Sequence, residues 1–206
     1  MKLTVTTFVS VDGVMQGPGG SEEDRSGGFD RGGWLVPHFD EDTGRFMTEI
    51  FGRVDEFLLG RNTYEIFAGS WPENTDPDDP IAGKLNNLPK HVVSTTLKEP
   101  KWTNTTVIDG NGDVAGEIRA LKARPGQELQ VHGSGTLARW LLENGLVDEL
   151  NLLIFPVIVG DGTRLFPDKG VATGLTLKES RTAGSGTTMQ VYAPAGPAEY
   201  GTASVT

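Results

Sequence analysis

The stretch 129–136, LQVHGSGT, passes from an apolar run to two glycines and then to hydroxyl residues that favour a helix start. We therefore predict a strand over 129–132, a turn over 133–136 and a helix that ends at Gly145. The stretch 58–63, LLGRNT, has the same order of apolar run, glycine and helix-initiating residues. Units of strand, turn and helix build parallel sheets with helical crossovers, so both stretches predict an α/β fold.

The same alternation continues along the chain and indicates one domain over 1–194, followed by a frayed tail over 195–206. Two loops rich in glycine, proline and acidic residues, 17–33 and 69–80, interrupt it. The last two strands are close together in sequence, which favours an antiparallel C-terminal edge on a mostly parallel sheet. The other predicted strands are 3–11, 55–59, 91–95, 105–108, 147–155, 175–179 and 187–192, and the other helices are 39–52, one beginning near 62–63, 81–88 and 114–122.

Composition limits the kinds of partner that the chain can have. Its formal net charge is −10, which disfavours a broad nucleic-acid or anionic-membrane surface. The chain contains no cysteine, which excludes disulfides and thiolate metal sites. It has neither a signal-like apolar segment nor a run of about 20 apolar residues, so we expect a cytoplasmic protein. The three histidines are scattered, and no metal site is predicted.

The two glycine-led turns are candidate phosphate sites. A helix N-terminus presents free N–H groups and the positive end of the helix dipole, and glycine allows close approach of an anion. Arg61 adds a guanidinium that can clamp a phosphate, and Ser94 and Thr95 place hydroxyls at the end of another strand. The alternative is that Ser, Thr and Asn only cap helices while glycine only turns the chain. Neither turn matches a dinucleotide fingerprint or a P-loop.

An ordered set of short motifs runs through nearly the whole chain. It comprises SVDG at 10–13, LLGRNTY at 58–64, VVSTT at 92–96, GSGTL at 133–137, GLVDE at 145–149, PVIVGDG at 156–162 and LF at 165–166. In this order the motifs resemble the dihydrofolate reductase-like superfamily. Within it, the chain is most similar to the C-terminal reductase domain of the bifunctional riboflavin-biosynthesis deaminase/reductase and its stand-alone relatives.

The resemblance implies a three-layer α/β/α fold that binds NADPH across the edge of its sheet, and a homodimer to which the strand beginning at Asp148 and Glu149 contributes. The residues that it implies for the adenosine-end phosphates are Gly60, Arg61 and Thr63, with Ser94 and Thr95 near the ribose and its 2′-phosphate. Those that it implies for the pyrophosphate are Gly133, Ser134, Gly135 and Thr136. Asp12 would face the substrate, with Trp34 and Phe39 as pocket walls.

By the same resemblance the protein is an NADPH-dependent oxidoreductase of a small pterin- or pyrimidine-like heterocycle, with 5-amino-6-(5-phosphoribosylamino)uracil of riboflavin biosynthesis as one candidate. One departure is that Thr6 stands where that branch carries a lysine associated with the ribose-phosphate substrate. The catalytic candidate is Asp12, which could relay a proton if burial raises its pKa. Its alternative role is structural, because Asp-Gly is a strong turn pair. A non-catalytic nucleotide-binding or sensor protein is the competing function, and a phosphate-transfer enzyme lacks its motifs.

Overall fold

The computed structural model describes residues 1–170 and 172–203, and β-strands form its centre. The strands are β1 (Lys2–Ser10), β2 (Val54–Gly60), β3 (Lys90–Ser94), β4 (Thr105–Asp109), β5 (Glu128–His132), β6 (Glu149–Phe155), β7 (Thr173–Thr182) and β8 (Thr188–Pro197). The α-helices are α1 (Glu41–Gly52), α2 (Arg61–Ser70), α3 (Pro80–Asn87), α4 (Val114–Lys122) and α5 (Gly135–Glu143). Single turns of 3₁₀ helix lie at Ser26–Gly28, Val36–His38 and Trp71–Glu73.

The eight strands form one sheet in the order β4-β3-β2-β5-β1-β6-β8-β7. Strands β1 to β6 pair in parallel, and β8 pairs antiparallel with both β6 and β7. The predicted mostly parallel sheet with an antiparallel C-terminal edge is therefore confirmed. Parallel strands all end at the same edge, so the residues that follow β2, β3 and β5 share one side of the molecule.

Helices cover both faces of the sheet, which confirms the predicted three layers. On one face, α1, α2 and α3 pack on a core that includes Phe57, Leu59, Val92 and Phe155. On the other face, α4 and α5 pack on Leu3, Val5, Leu129, Val131 and Leu150. The strands alternate between these two cores because successive side chains of a strand point to opposite faces.

The C-terminal hairpin is longer than the sequence predicted. Strand β8 reaches Pro197, so 195–197, predicted as part of a frayed tail, lie in a strand paired with Thr173. The edge strand β7 was predicted over 175–179 and extends over Thr173–Thr182; it is exposed along most of its length, so its residues lack the apolar alternation that would have shown its full extent. The end of the predicted tail, 204–206, lies outside the described residues. In the part of the chain that is described, no helix has both the length and the apolarity needed to cross a membrane.

Candidate functional site

The two glycine-led turns lie side by side at the carboxyl edge of the sheet. Strands β2 and β5 are neighbours, so the turns that follow them are neighbours too. The amide of Gly60 donates a hydrogen bond to Ser134 Oγ at 3.0 Å, and the amide of Ser134 donates to Thr63 Oγ1 at 3.0 Å. The structure thus brings the beginnings of α2 and α5 together, as the sequence predicted.

The backbone of the second turn explains why its first residue is glycine. Gly133 has φ +57°, a left-handed conformation that costs a residue with a Cβ about 1–2 kcal/mol. Ser134 also has a positive φ, of 49°, although it has a side chain. Its hydroxyl and its amide both bind the first turn, so hydrogen bonds across the two turns offset the strained conformation.

The helices that follow these turns begin differently from the other three α-helices. Asp40, Asp79 and Asp113 cap α1, α3 and α4 by accepting hydrogen bonds from their first amides. The N-cap residues of α2 and α5 are Gly60 and Ser134, and neither makes a side-chain hydrogen bond to the helix that follows it. Their first N–H groups thus remain available to a ligand, and an anion is the ligand that a helix N-terminus favours.

Arg61 lies at the start of α2 and reaches the loop after β3. Its Nε donates to Glu65 Oε1 at 2.7 Å, and Nη1 donates to Thr96 Oγ1. The side chain is about 40% exposed, so the guanidinium is open to solvent. Arg61 is therefore placed beside the two turns, with one carboxylate as its present partner.

The predicted hydroxyl residues differ in their accessibility. Ser94 is buried, and its Oγ accepts hydrogen bonds from the amides of Thr96 at 3.2 Å and Leu97 at 3.0 Å. Thr95 is exposed, as is Thr136 at the start of α5. Ser94 shapes the loop after β3, while Thr95 and Thr136 present their side chains at the carboxyl edge.

Asp12 anchors a neighbouring loop. Its carboxylate accepts hydrogen bonds from Ser10 Oγ at 2.6 Å and from the amides of Val159 at 3.0 Å and Gly160 at 2.9 Å. Burial raises the pKa of Asp12, but these hydrogen bonds outweigh it and lower the pKa to about 2. The proposed proton relay required a raised pKa, and that expectation is wrong: the side chain is a deprotonated acceptor at neutral pH.

The two predicted wall residues do not share one environment. Trp34 is buried, with its ring 5.9 Å from that of Phe155, and its Nε1 donates to the carbonyl oxygen of Gln16 at 2.8 Å. Phe39, by contrast, is 42% exposed. Trp34 therefore fastens the glycine-rich loop to the core, and Phe39 is the one of the pair that meets solvent.

Sequence reasoning missed Gln16, which joins the glycine-rich loop 17–33 to the segment after β6 that contains Thr163. The side chain is buried; Nε2 donates to the carbonyl oxygen of Ser26 at 3.0 Å, and Oε1 accepts from the amide of Thr163 at 2.9 Å. Arg31 adds a hydrogen bond to the carbonyl oxygen of Val159 at 2.5 Å. A glutamine between glycine-rich segments gives no sequence signal of this role, because its partners are backbone groups about 10 and 150 residues away.

The position of the absent family lysine is occupied by a neutral pair. Thr6 is buried in β1, and its Oγ1 accepts a hydrogen bond from Asn151 Nδ2 at 3.1 Å. Asn151 Oδ1 is buried and has no hydrogen-bond partner within the described residues. The side chains of Thr6 and Asn151 are therefore polar but uncharged. In the described ranges, no group of three or more His, Asp or Glu side chains is placed to hold a metal ion.

Comparison with known proteins supports the family resemblance that the sequence motifs indicated. The uncharacterized protein YyaP of Bacillus subtilis (strain 168) is 29% identical over 193 residues, which are 93% of this chain and 94% of that protein. A putative riboflavin biosynthesis protein from Shewanella sp. PV-4 superposes with a TM-score of 0.69 at 24% identity, covering 95% of this chain and 99% of that one.

Two further structures share the fold at lower identity. A pyrimidine reductase-like protein from Corynebacterium diphtheriae has a TM-score of 0.62 at 16% identity, covering 94% of this chain and 92% of that one. Acinetobacter baumannii RibD has a TM-score of 0.62 at 10% identity, covering 94% of this chain and 58% of that one. The family model described as RibD C-terminal domain matches residues 1–189. The chain therefore belongs to the RibD C-terminal domain family.

Proposed function

We propose that the protein is an NADPH-dependent reductase of a small pyrimidine- or pterin-like heterocycle. The observation that carries the proposal is the pair of uncapped helix N-termini, joined by the hydrogen bond between Gly60 and Ser134. Family membership supports the reductase chemistry, and the adjacent turns support a ligand with more than one phosphate.

The residues at this edge fit the phosphates of a dinucleotide. Gly133, Ser134, Gly135 and Thr136 would hold the pyrophosphate on the first amides of α5, with Gly60, Arg61 and Thr63 on the adenosine side. When bound, NADPH would supply a hydride to an electron-poor carbon of the substrate. The chain would contribute binding, orientation and the exclusion of water. Asp12 would contribute as a positioning residue, because it holds Val159 and Gly160 against the end of β1.

The substrate of this reductase is expected to be neutral where it meets the sheet below the cofactor turns. Thr6 and Asn151, at the position of the absent lysine, are uncharged and buried in the sheet, so the chain places no cation there for a substrate phosphate. A ribose phosphate would therefore need a cation from elsewhere, whereas an uncharged pyrimidine or pterin would not.

A calorimetric titration tests the cofactor. We expect NADPH to bind more tightly than NADH. Arg61→Ala should weaken NADPH binding by roughly tenfold to a hundredfold, because a charge-assisted phosphate contact is lost. Arg45→Ala is the matched control, since Arg45 is an exposed arginine on α1 with a glutamate partner one helical turn away. The absence of NADPH binding, or equal effects of both substitutions, would contradict the proposal.

The same preparation tests the alternative, a nucleotide-binding protein without turnover. This alternative is favoured by the fully hydrogen-bonded, low-pKa carboxylate of Asp12, which leaves no proton donor at the position where the sequence predicted one. NADPH oxidation is followed by absorbance over a panel of pyrimidines and pterins, including the riboflavin-pathway intermediate. Oxidation with any member supports the reductase; binding without oxidation across the panel supports the alternative.

We also propose that the protein is a homodimer that pairs through the C-terminal hairpin. Leu175 and Leu177 of β7 are 40% and 51% exposed, and their register places them on the same sheet face as Tyr192. Large apolar side chains exposed together on a sheet are typical of an interface. Sedimentation equilibrium should give the mass of two chains, and Leu177→Lys should shift it toward one, while Thr176→Lys on the opposite face should not. A one-chain mass for the parent protein would contradict the dimer.

A further inference from the structure

Arg139 is a second arginine beside the cofactor turns, and no sequence motif identified it. It lies on the second turn of α5, and its side chain points back toward the helix N-terminus. Nη2 donates to Thr136 Oγ1 at 3.2 Å, and Nη1 donates to the carbonyl oxygen of Leu165 at 3.1 Å. A Cβ on Gly135 would lie only 3.3 Å from Nη1, so the guanidinium sits directly beside the first residue of α5.

The electrostatic setting of Arg139 is unfavourable without an anion. The positive end of a helix dipole disfavours a cation, and α1 and α4 place acidic residues in their first turns as expected. Helix α5 has no acidic residue in its first turn. Within the described residues, the hydrogen bonds of Arg139 go only to neutral oxygens, and no carboxylate lies within ion-pair distance of it.

The neighbouring arginine, Arg164, differs from Arg139 because it has an acidic partner. Arg164 donates from Nε to the carbonyl oxygen of Asp12 at 2.9 Å, and its Nη2 lies 3.7 Å from the carboxylate of Asp12. Its charge is therefore compensated within the chain. Arg61, at the start of α2, likewise has Glu65. Of Arg61, Arg139 and Arg164, Arg139 is the one whose charge is matched by no described carboxylate.

We infer that Arg139 binds the diphosphate of the cofactor and supplies the countercharge that the amides of α5 alone do not. The inference rests on the proposed function, since it concerns the same cofactor. The guanidinium of Arg139 lies beside Gly135 and the hydroxyl of Thr136, so an anion bound there would satisfy the helix end and the cation together. Arg61 would bind a phosphate on the adenosine side, so the two arginines contact different phosphates of one ligand.

Two probes separate these roles in titrations of the full chain. NADPH carries both the diphosphate and the 2′-phosphate, whereas adenosine 2′-monophosphate carries only the latter. Arg139→Met should weaken NADPH binding by roughly tenfold to a hundredfold and leave adenosine 2′-monophosphate within about twofold of the parent. Arg139→Lys should lose less NADPH affinity, because it keeps the charge but not the planar fork. Arg119→Met is the control, since it removes an exposed arginine from the last turn of α4.

The outcomes separate a failure of this inference from a failure of the proposed reductase function. NADPH binding by Arg139→Met at the parent affinity would overturn the inference and leave the proposed function standing. Equal weakening of both probes, together with a lowered unfolding temperature, would assign Arg139 a structural role and also overturn it. If the parent protein binds neither probe, the proposed function fails and the inference fails with it.

Discussion

The free energy of unfolding is expected to fall by about 1.4 kcal/mol for each pH unit between about pH 6 and pH 4, because of His132 alone. Burial at the end of β5 lowers the pKa of His132 from 6.5 to about 3. Between these two values the unfolded chain binds a proton at this histidine and the folded chain does not. Acidification therefore favours the unfolded state throughout this window, and the contribution levels off above about pH 7.5, where the unfolded chain has lost this proton as well.

The surroundings of His132 explain why the folded state excludes the proton. Its ring stacks on that of Phe51, with centroids 4.5 Å apart and planes within 22°. Its Nε2 lies 3.0 Å from Gln130 Oε1, and Gln130 Nε2 donates to the carbonyl oxygen of Ile50 and to Glu128 Oε2. Because Gln130 presents its oxygen, His132 donates from Nε2 in the neutral tautomer. A second proton, on Nδ1, would be buried without a hydrogen-bond acceptor among the described residues.

Urea unfolding of His132→Leu at several pH values tests this prediction. The variant should be less stable than the parent at pH 7 by about 1–3 kcal/mol, because Gln130 Oε1 loses its donor. Between pH 6 and pH 4 the slope of its stability against pH should be smaller than the parent's by about 1.4 kcal/mol for each pH unit. Hydrogen bonds lower the pKa of Asp12 and of Asp40 to about 2, so their losses begin only below about pH 4. An unchanged slope in His132→Leu would contradict the assignment.

The sequence predicted the fold well because local patterns decide it. Alternating apolar strands and glycine-ended helices gave the parallel sheet, and the bounds of α4 at Val114 and Lys122 agree with the prediction. The C-terminal hairpin was predicted too short, because β7 is an exposed edge strand whose residues need no apolar alternation. Its extent is set by pairing with β8, which is a property of the assembled sheet.

The candidate site was predictable only where the backbone itself carries the function. Gly60 and Gly133 identified the two turns, since glycine is needed where the chain turns tightly or approaches an anion. The hydrogen bonds that lower the pKa of Asp12 and the packing of Trp34 could not be predicted, because their partners, Val159 and Phe155, lie far along the chain. Arg139 was missed for a related reason: an arginine on a helix is unremarkable until its neighbours are known to include no carboxylate.

Gly135→Asp is expected to abolish measurable NADPH binding while leaving the protein as stable as before or more so. The introduced carboxylate would occupy the first turn of α5, where a negative charge stabilises a helix by about 0.3–1 kcal/mol. Its Cβ would lie 3.3 Å from Arg139 Nη1, so it would also supply that guanidinium with an internal partner. The Cβ overlaps Met15 Sδ, and that flexible thioether is expected to swing aside at little cost.

The same carboxylate would stand where the proposed diphosphate binds and would repel it. We therefore expect NADPH affinity to fall by more than about a hundredfold, combining the lost amide and guanidinium contacts with like-charge repulsion. Gly83→Asp is the matched control: it adds the same charge to a helix, α3, at a position with open space around it. Thermal unfolding and titration are measured on both variants. Lost NADPH affinity without lost thermal stability is specific to an anion site at the start of α5. General damage to the fold would lower the stability and the affinity together. Retained NADPH affinity in Gly135→Asp would mean that the diphosphate, if bound at all, does not lie on this helix.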